Sequence, residues 1–412
     1  MALDASDTVL PDRALADQFD PRDLDPSFAE DPYPTYRALL EYAPVKQFDD
    51  GSVFLSRYAD LVTVYRDTKR FSSDKKIPFW PKYGDTPLYE HHTTSLVFND
   101  PPLHTRVRSI IVSALTPKAI AQMEPGLIDL VDRLIDDMAA KGEVDLIEDF
   151  ASAIPIEIIG NLLRVPHSDR APLRGWSLAI LGALEPVLTP EQLDIGNRAV
   201  ADFSAYLDDL IADRRKHPGD PASDVLTRLL QGDRGEHLTH VELVQNCIFL
   251  LNAGHETTTN LIGNGLNLLC EWPGERRRLL DDPDLIKPAI EEFLRFESSN
   301  QLGNRLTTEE VEIGGVTIAP NVDLTLCIGA ANRDPDQFPD PDRLDIARKP
   351  NKHLAFGWGP HLCAGLSLAR LEGRIAIGRF LKRFPDFEIG ENPVRGGRVR
   401  FRGFATLPAR LG

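Results

Sequence analysis

Residues 241–270 read Val-Glu-Leu-Val-Gln-Asn-Cys-Ile-Phe-Leu-Leu-Asn-Ala-Gly-His-Glu-Thr-Thr-Thr-Asn-Leu-Ile-Gly-Asn-Gly-Leu-Asn-Leu-Leu-Cys. Apolar side chains recur at three- and four-residue spacing and cover nearly every face, so the segment predicts one helix about 45 Å long at the usual rise per residue. A helix without a polar face has to run through the middle of a molecule, with the rest of the chain wrapped round it. Gly254 and the run Glu256-Thr257-Thr258-Thr259 are locally costly there. Glycine and β-branched residues are poor helix formers, and a buried carboxylate needs a partner. Rule-breaking inside a core element points to function.

The 412 residues, 42% hydrophobic, carry enough apolar material for a large core and exclude disorder as the dominant state. Sixty-three acidic against 46 basic residues give a net charge of −17, which disfavours nucleic-acid and anionic-membrane partners. Cys247, Cys270, Cys327 and Cys363 form no CxxC pair, which favours a reducing compartment. The N-terminus is acidic with no apolar run after it, and nowhere do eighteen apolar residues follow one another. The expectation is a soluble cytoplasmic protein without signal or anchor.

Residues 1–30, rich in Asp and Pro, are expected to form a surface arm, and 31–412 a single domain. Helical spacing is expected near 35–42 and over 119–140, 145–164, 191–216, 239–270 and 364–383. Strand character appears at 52–57, in a hairpin over 311–318 turning on Gly314-Gly315, in 324–328 as its continuation, and in 385–409. Residues 72–100 show neither period and predict a long loop. The fold class is therefore mainly α, an α+β chain with a minor β-rich region.

In Phe356-Gly357-Trp358-Gly359-Pro360-His361-Leu362-Cys363-Ala364-Gly365, two glycines and a proline force a tight turn that leaves Cys363 just before a helix. Peptide N–H groups and the helix N-terminus both favour the thiolate, so Cys363 is a candidate metal ligand or nucleophile, against the alternative of an inert buried cysteine. Zinc held by His353, His361 and Cys363 is a competing reading, although no second cysteine stands at a zinc-finger spacing.

This loop resembles the haem-ligand loop of the cytochrome P450 family, Phe-x-x-Gly-x-x-x-Cys-x-Gly, met by Phe356, Gly359, Cys363 and Gly365. The composition would produce those four residues by chance roughly one time in a thousand over the chain. The resemblance implies the P450 fold, a large helical region and a smaller β-rich one around one haem b, with Cys363 as the proximal thiolate on iron.

Ala253-Gly254-His255-Glu256-Thr257 is similar to the family's distal motif. The resemblance implies that Gly254 makes room for dioxygen, that the Thr257 hydroxyl steadies the reacting oxygen and that Glu256 feeds protons. For Thr257 the alternative is a bond back to the Ala253 carbonyl. Glu292-x-x-Arg295 stands where the family keeps a buried pair, with Arg343 expected as the second arginine of that structural network. Partners for the haem carboxylates are expected to be His104, Arg108, Arg305 and His361.

Between 343 and 383 nine Lys/Arg face two acids, Asp345 and Glu372, in an otherwise acidic chain. In the resemblance this face docks a small acidic iron–sulfur ferredoxin, or a flavodoxin, supplied with electrons by a reductase, since no reductase-like domain is evident. Substrate contacts are expected from 72–100, 176–188, the helix at Phe249, Leu250 and Ala253, and 298–302, including Ser298 and Ser299. Their apolar character implies a small or medium lipophilic molecule, with Lys75, Lys76 or Lys82 as candidates for capping the pocket with positive charge.

The expected activity is monooxygenation, by hydroxylation or O-dealkylation. The rivals are a peroxide-using P450, a nitric-oxide-reducing P450 and a haem-thiolate sensor that does not turn over. The retained Glu256-Thr257 pair speaks against the first and the last.

Overall fold

A computed structural model describes residues 11–221, 224–233 and 235–412. Its axis is the expected helix, His240–Glu271, buried along most of its length. Thr239 starts it with a capping box: its hydroxyl accepts from the Glu242 N–H at 3.2 Å, while the Glu242 carboxylate accepts from the Thr239 N–H at 2.8 Å. Helices Ala153–Leu162, Leu173–Gly182, Pro190–Lys216 and Leu366–Arg383 pack round this axis. The polar groups that its sequence forces into the core are largely paired. Asn246 accepts from the Leu96 N–H at 3.0 Å, and Asn264 donates to the Arg402 carbonyl at 3.0 Å. Among the described residues no helix is long and apolar enough to cross a membrane.

The β-rich part is a five-stranded sheet in the spatial order Val45–Gln47, Val53–Leu55, Asp323–Cys327, Leu302–Thr307, Phe71–Ser72. Val53–Leu55 and Asp323–Cys327 pair in parallel, and the remaining neighbours are antiparallel. Arg305 stands opposite Leu324 in this sheet.

Two expectations are corrected. Residues 72–100 are not one loop but helices Lys76–Tyr83 and Pro87–Thr94 with a 3-10 turn, Leu96–Phe98. Each helix is too short to show a period and the first contains Pro81, yet rings interlock there, with Phe79 at 5.3 Å from Tyr83 and 5.1 Å from Phe98. The N-terminal arm, of which residues 1–10 lie outside the described residues, is docked on the rest of the chain. Phe19 meets Phe54 edge-on at 4.9 Å, and Phe28 meets Tyr36 at 5.7 Å. Finally, Asp323–Cys327 does not extend the 311–318 hairpin; it is an inner strand of the main sheet.

A buried ion network fixes the segment that leads to the cysteine loop. Glu292 and Arg295 are both fully buried and joined by two bonds, at 2.8 and 2.7 Å. The Glu292 carboxylate also accepts from Arg348 at 3.1 Å, Asn351 at 3.1 Å and the Asp345 N–H at 3.0 Å. The second guanidinium is thus Arg348 and not Arg343, whose side chain is exposed and which contributes only its carbonyl, to Arg295 and Arg348.

Removing one partner from such a network leaves a buried charge unmatched, so Arg295→Ala should cost about 3–5 kcal/mol. Chemical denaturation of the two proteins checks this. Arg277→Ala, which removes an exposed pair with Asp281 on side chains 77% and 66% exposed, should shift stability by less than about 0.5 kcal/mol.

Candidate active site

Between the central helix and the cysteine loop lies a cavity of about 350 Å³. Phe249, Leu250, Ala253, Gly254 and Thr257 line it from the helix; Phe356, His361, Cys363 and Gly365 line it from the loop. The loop is rigid for local reasons. The Cys363 N–H donates to the Phe356 carbonyl at 2.9 Å, the Leu362 N–H to Gly359 at 3.0 Å and the Gly357 N–H to Leu354 at 2.8 Å. Gly359 has φ +70°, and a Cβ there would sit 2.4 Å from the Tyr65 carbonyl oxygen, so both backbone and packing require glycine. Arg370 lies over the Phe356 ring at 4.9 Å.

Burial raises the pKa of the Cys363 thiol, opposed by the Gly365 N–H, Arg108 and Arg370. A thiolate here needs more positive charge than these groups supply, which a metal ion provides. Zinc has no ligand set among the described residues. His353 is bonded to Glu291 at 3.2 Å, and His361 stacks on His104 at 3.9 Å.

At one edge of the cavity His104, His361, Arg108 and Arg305 come together. Burial first, then neighbouring positive charge, holds both imidazoles below the usual histidine range, His104 at about 4. Neither ring nitrogen of the buried His104 has a partner, nor has Nε of Arg305. Arg108 donates to the Leu362 carbonyl at 2.6 Å and Arg305 to the Asn304 carbonyl at 2.7 Å. Among the described residues no carboxylate pairs with either guanidinium. A haem fits this arrangement: sulfur on one face, and at the edge a set of donors lacking two anionic groups, which its propionates would provide.

Opposite the loop, the Thr257 hydroxyl donates to the Ala253 carbonyl at 2.8 Å, which leaves its oxygen free to accept. Glu256 does not line the cavity. Both its oxygens accept from Arg398 at 2.7 Å, and Arg398 also donates to the Leu178 carbonyl at 2.9 Å. Burial pushes Glu256 up to about 7, against the lowering effect of Arg398. Glu372 lines the cavity from the following helix; burial pushes it up to about 8, against a bond to Thr258.

Some expected residues play other parts. A Cβ on Gly254 would lie 2.2 Å from Cδ1 of Ile159, so this glycine lets helix Ala153–Leu162 close onto the central helix, and Ala253 beside it faces the cavity. Ser298 is a core residue, donating to the Leu294 carbonyl at 2.8 Å and accepting from Asn332 at 2.8 Å, whereas Ser299 does line the cavity with its hydroxyl unpartnered. None of Lys75, Lys76 and Lys82 lines it: they bind Asp323, Asp74 and the Glu185 carbonyl. Sequence reasoning missed Arg398, Arg400 and Asn252, the last with both amide atoms buried and unpartnered in the cavity wall. The arginines had a legible signal: four stand among residues 395–402 of an acidic chain.

The positive face expected around 343–383 is also narrower than its composition. Arg348, Arg370, Arg374 and Arg379 are paired with Glu292, Glu291, Glu124 and Asp132. Arg343, Lys349, Lys352, Lys382 and Arg383 are exposed and have no ion pair among the described residues.

Residues 181–394 match the family model described as Cytochrome P450. The chain is 36% identical over 396 residues to the biotin biosynthesis cytochrome P450 of Bacillus subtilis, covering 92% of this chain and 96% of that one. It is 37% identical over 393 residues to the vitamin D(3) 25-hydroxylase of Pseudonocardia autotrophica, covering 94% and 95%. The crystal structure of P450BioI in complex with a hexadec-9Z-enoic acid ligated acyl carrier protein superposes with a TM-score of 0.88 at 34% identity, covering 94% of this chain and all of that one. With likeness of this degree along nearly the full length of each protein, the chain belongs to the cytochrome P450 family and is an oxidoreductase of the P450 monooxygenase kind.

Proposed function

We propose that the protein binds haem b and inserts one oxygen atom of O₂ into a small or medium lipophilic organic molecule, in the cytoplasm, by hydroxylation or O-dealkylation. Electrons come from a separate ferredoxin or flavodoxin with its reductase. The observation that carries this reading is the shared cavity: Cys363 lines it from the loop, Thr257 from the central helix, and His104, Arg108, Arg305 and His361 line the same space. Haem bound there supplies the activation of O₂, which with two electrons and two protons gives one oxygen atom to the substrate and releases the other as water.

The chain's own residues divide the remaining work. Cys363 Sγ, held in place by the Phe356 carbonyl and the Gly359 turn, would bind the haem iron. Arg108, Arg305, His104 and His361 would hold its propionates. The Thr257 hydroxyl, oriented by the Ala253 carbonyl, presents its oxygen to the cavity and steadies a proton there. Glu256 stores a proton one step outside the cavity, and delivery requires its carboxyl to swing away from Arg398. Phe249, Leu250, Leu181 and Val225 bury the apolar body of the substrate and exclude water. The exposed Lys349, Lys352, Lys382, Arg343 and Arg383 attract an acidic electron carrier.

Three measurements test the reading. Cys363→Ala should abolish the thiolate-type red-shifted Soret band of the reduced carbon-monoxide complex; its survival would remove Cys363 as ligand. Thr257→Ala should keep NADH and oxygen consumption in a reconstituted chain but release hydrogen peroxide, with product per NADH falling about tenfold or more. With burial pushing it up to about 7, Glu256 is protonated below that pH and above it is a carboxylate paired with Arg398. Product formation at saturating reductant should therefore fall as pH rises through neutrality, and Glu256→Gln should turn over slowly with that limb gone.

A further inference from the structure

Three arginines line the cavity: Arg108, Arg305 and Arg400. The haem-thiolate reading, on which this inference rests, uses two of them. A ferric ion, a thiolate and a porphyrin dianion sum to zero charge, so the bound cofactor presents only its two propionates to the surrounding side chains. Arg108 and Arg305 match those. Arg400 is left over, bonded to the strand Leu302–Thr307 that also carries Arg305.

Its surroundings do not neutralise it. Nε donates to the Leu184 carbonyl at 3.3 Å, one terminal nitrogen to the Leu302 carbonyl at 2.9 Å and the other to the Asn304 side-chain oxygen. All three acceptors are uncharged, and all three residues line the cavity, so the guanidinium sits within its wall. Each terminal nitrogen keeps one N–H without an acceptor among the described residues. Burial works against the charge, and the nearest support is Glu185. That carboxylate is already engaged by the backbone N–H groups of Val399 and Arg400, with Lys82 bonded to the Glu185 carbonyl close by. Asp323 is taken by Lys75. Among the described residues the only carboxyl lining the cavity is Glu372, which stays protonated at neutral pH, since burial pushes it up to about 8.

We infer that Arg400 is a substrate anchor, and that the substrate is an organic acid whose carboxylate binds this guanidinium while its apolar body extends towards the haem. A partly desolvated guanidinium with two unused donors binds a carboxylate far better than an ester or alcohol of the same shape. Leu181, Leu184 and Phe401 of the same cavity are apolar and suit a hydrocarbon body.

The test uses haem-loaded protein and ligands whose binding does not depend on guessing that body. A series of imidazolyl-alkanoic acids of increasing tether length, each with its methyl ester, anchors at the iron through the azole, and the Soret shift reports affinity. For at least one tether length the acid should bind about tenfold or more tightly than its ester. Arg400→Gln should erase that preference, and Arg400→Lys should keep part of it. Equal affinities at every length, or a preference that survives Arg400→Gln, overturns the proposal. So does loss of haem content in Arg400→Gln, which would make the guanidinium a propionate partner. An unmodified protein that shows no azole shift with any ligand would instead defeat the haem-thiolate reading itself.

Discussion

Two guanidiniums and two imidazoles meet at one edge of the central cavity, and among the described residues no ion pair relieves the guanidiniums. Everything else about the site follows from that imbalance. Burying unmatched positive charge is expensive, and the cost is met only by an anion that binds in the same place. Cys363 alone accommodates several metals. A thiolate on one face together with an edge that lacks two negative charges calls for a metal carried in a flat ligand with two carboxylates. Since only the folded chain assembles these donors from 104–108, 305 and 361–363, cofactor binding also stabilises the fold.

Rigidity is distributed unevenly around the cavity. On the cysteine side, Glu292 joins Arg295, Arg348 and Asn351, and the Asn332 side chain accepts from the Leu354 N–H at 2.7 Å just before the loop begins. Gly359 then lies against the Tyr65 carbonyl, so the loop is held from both directions. The opposite side is made of the end of helix Pro87–Thr94, the 3-10 turn Leu96–Phe98 and side chains of the central helix.

The central helix, the cysteine loop and the last helix were legible because each depends on local chemistry: all-round apolarity, turn-forming glycines and helical period. Arg343 was mistaken for Arg348 because residues 339–351 have no regular structure, and spacing alone does not say which arginine turns inward. Gly254 lines the cavity, and the close approach of Ile159 from another helix, which a Cβ there would block, had no sign in the sequence. The same limit applies to Ser298, whose hydroxyl is consumed by Leu294 and Asn332 rather than turned to the cavity. Partners distant in sequence leave no mark on the residues that meet them.

The arginines of 398–402 show what a charge pattern does carry. Every second residue is arginine, and each ties this one segment to a different part of the molecule. Arg398 binds Glu256 of the central helix, Arg400 binds Leu302 and Asn304 of the main sheet, and Arg402 binds Glu297 and the carbonyls of Ala29 and Glu30. Gln301 and Ser299 fasten the same segment through backbone bonds, the Gln301 N–H to the Arg400 carbonyl and the Arg402 N–H to the Ser299 carbonyl. The guanidinium that pairs with Glu256 and the unmatched guanidinium of the cavity are therefore two residues apart on one short stretch, so the segment's position is set jointly by the central helix and the main sheet.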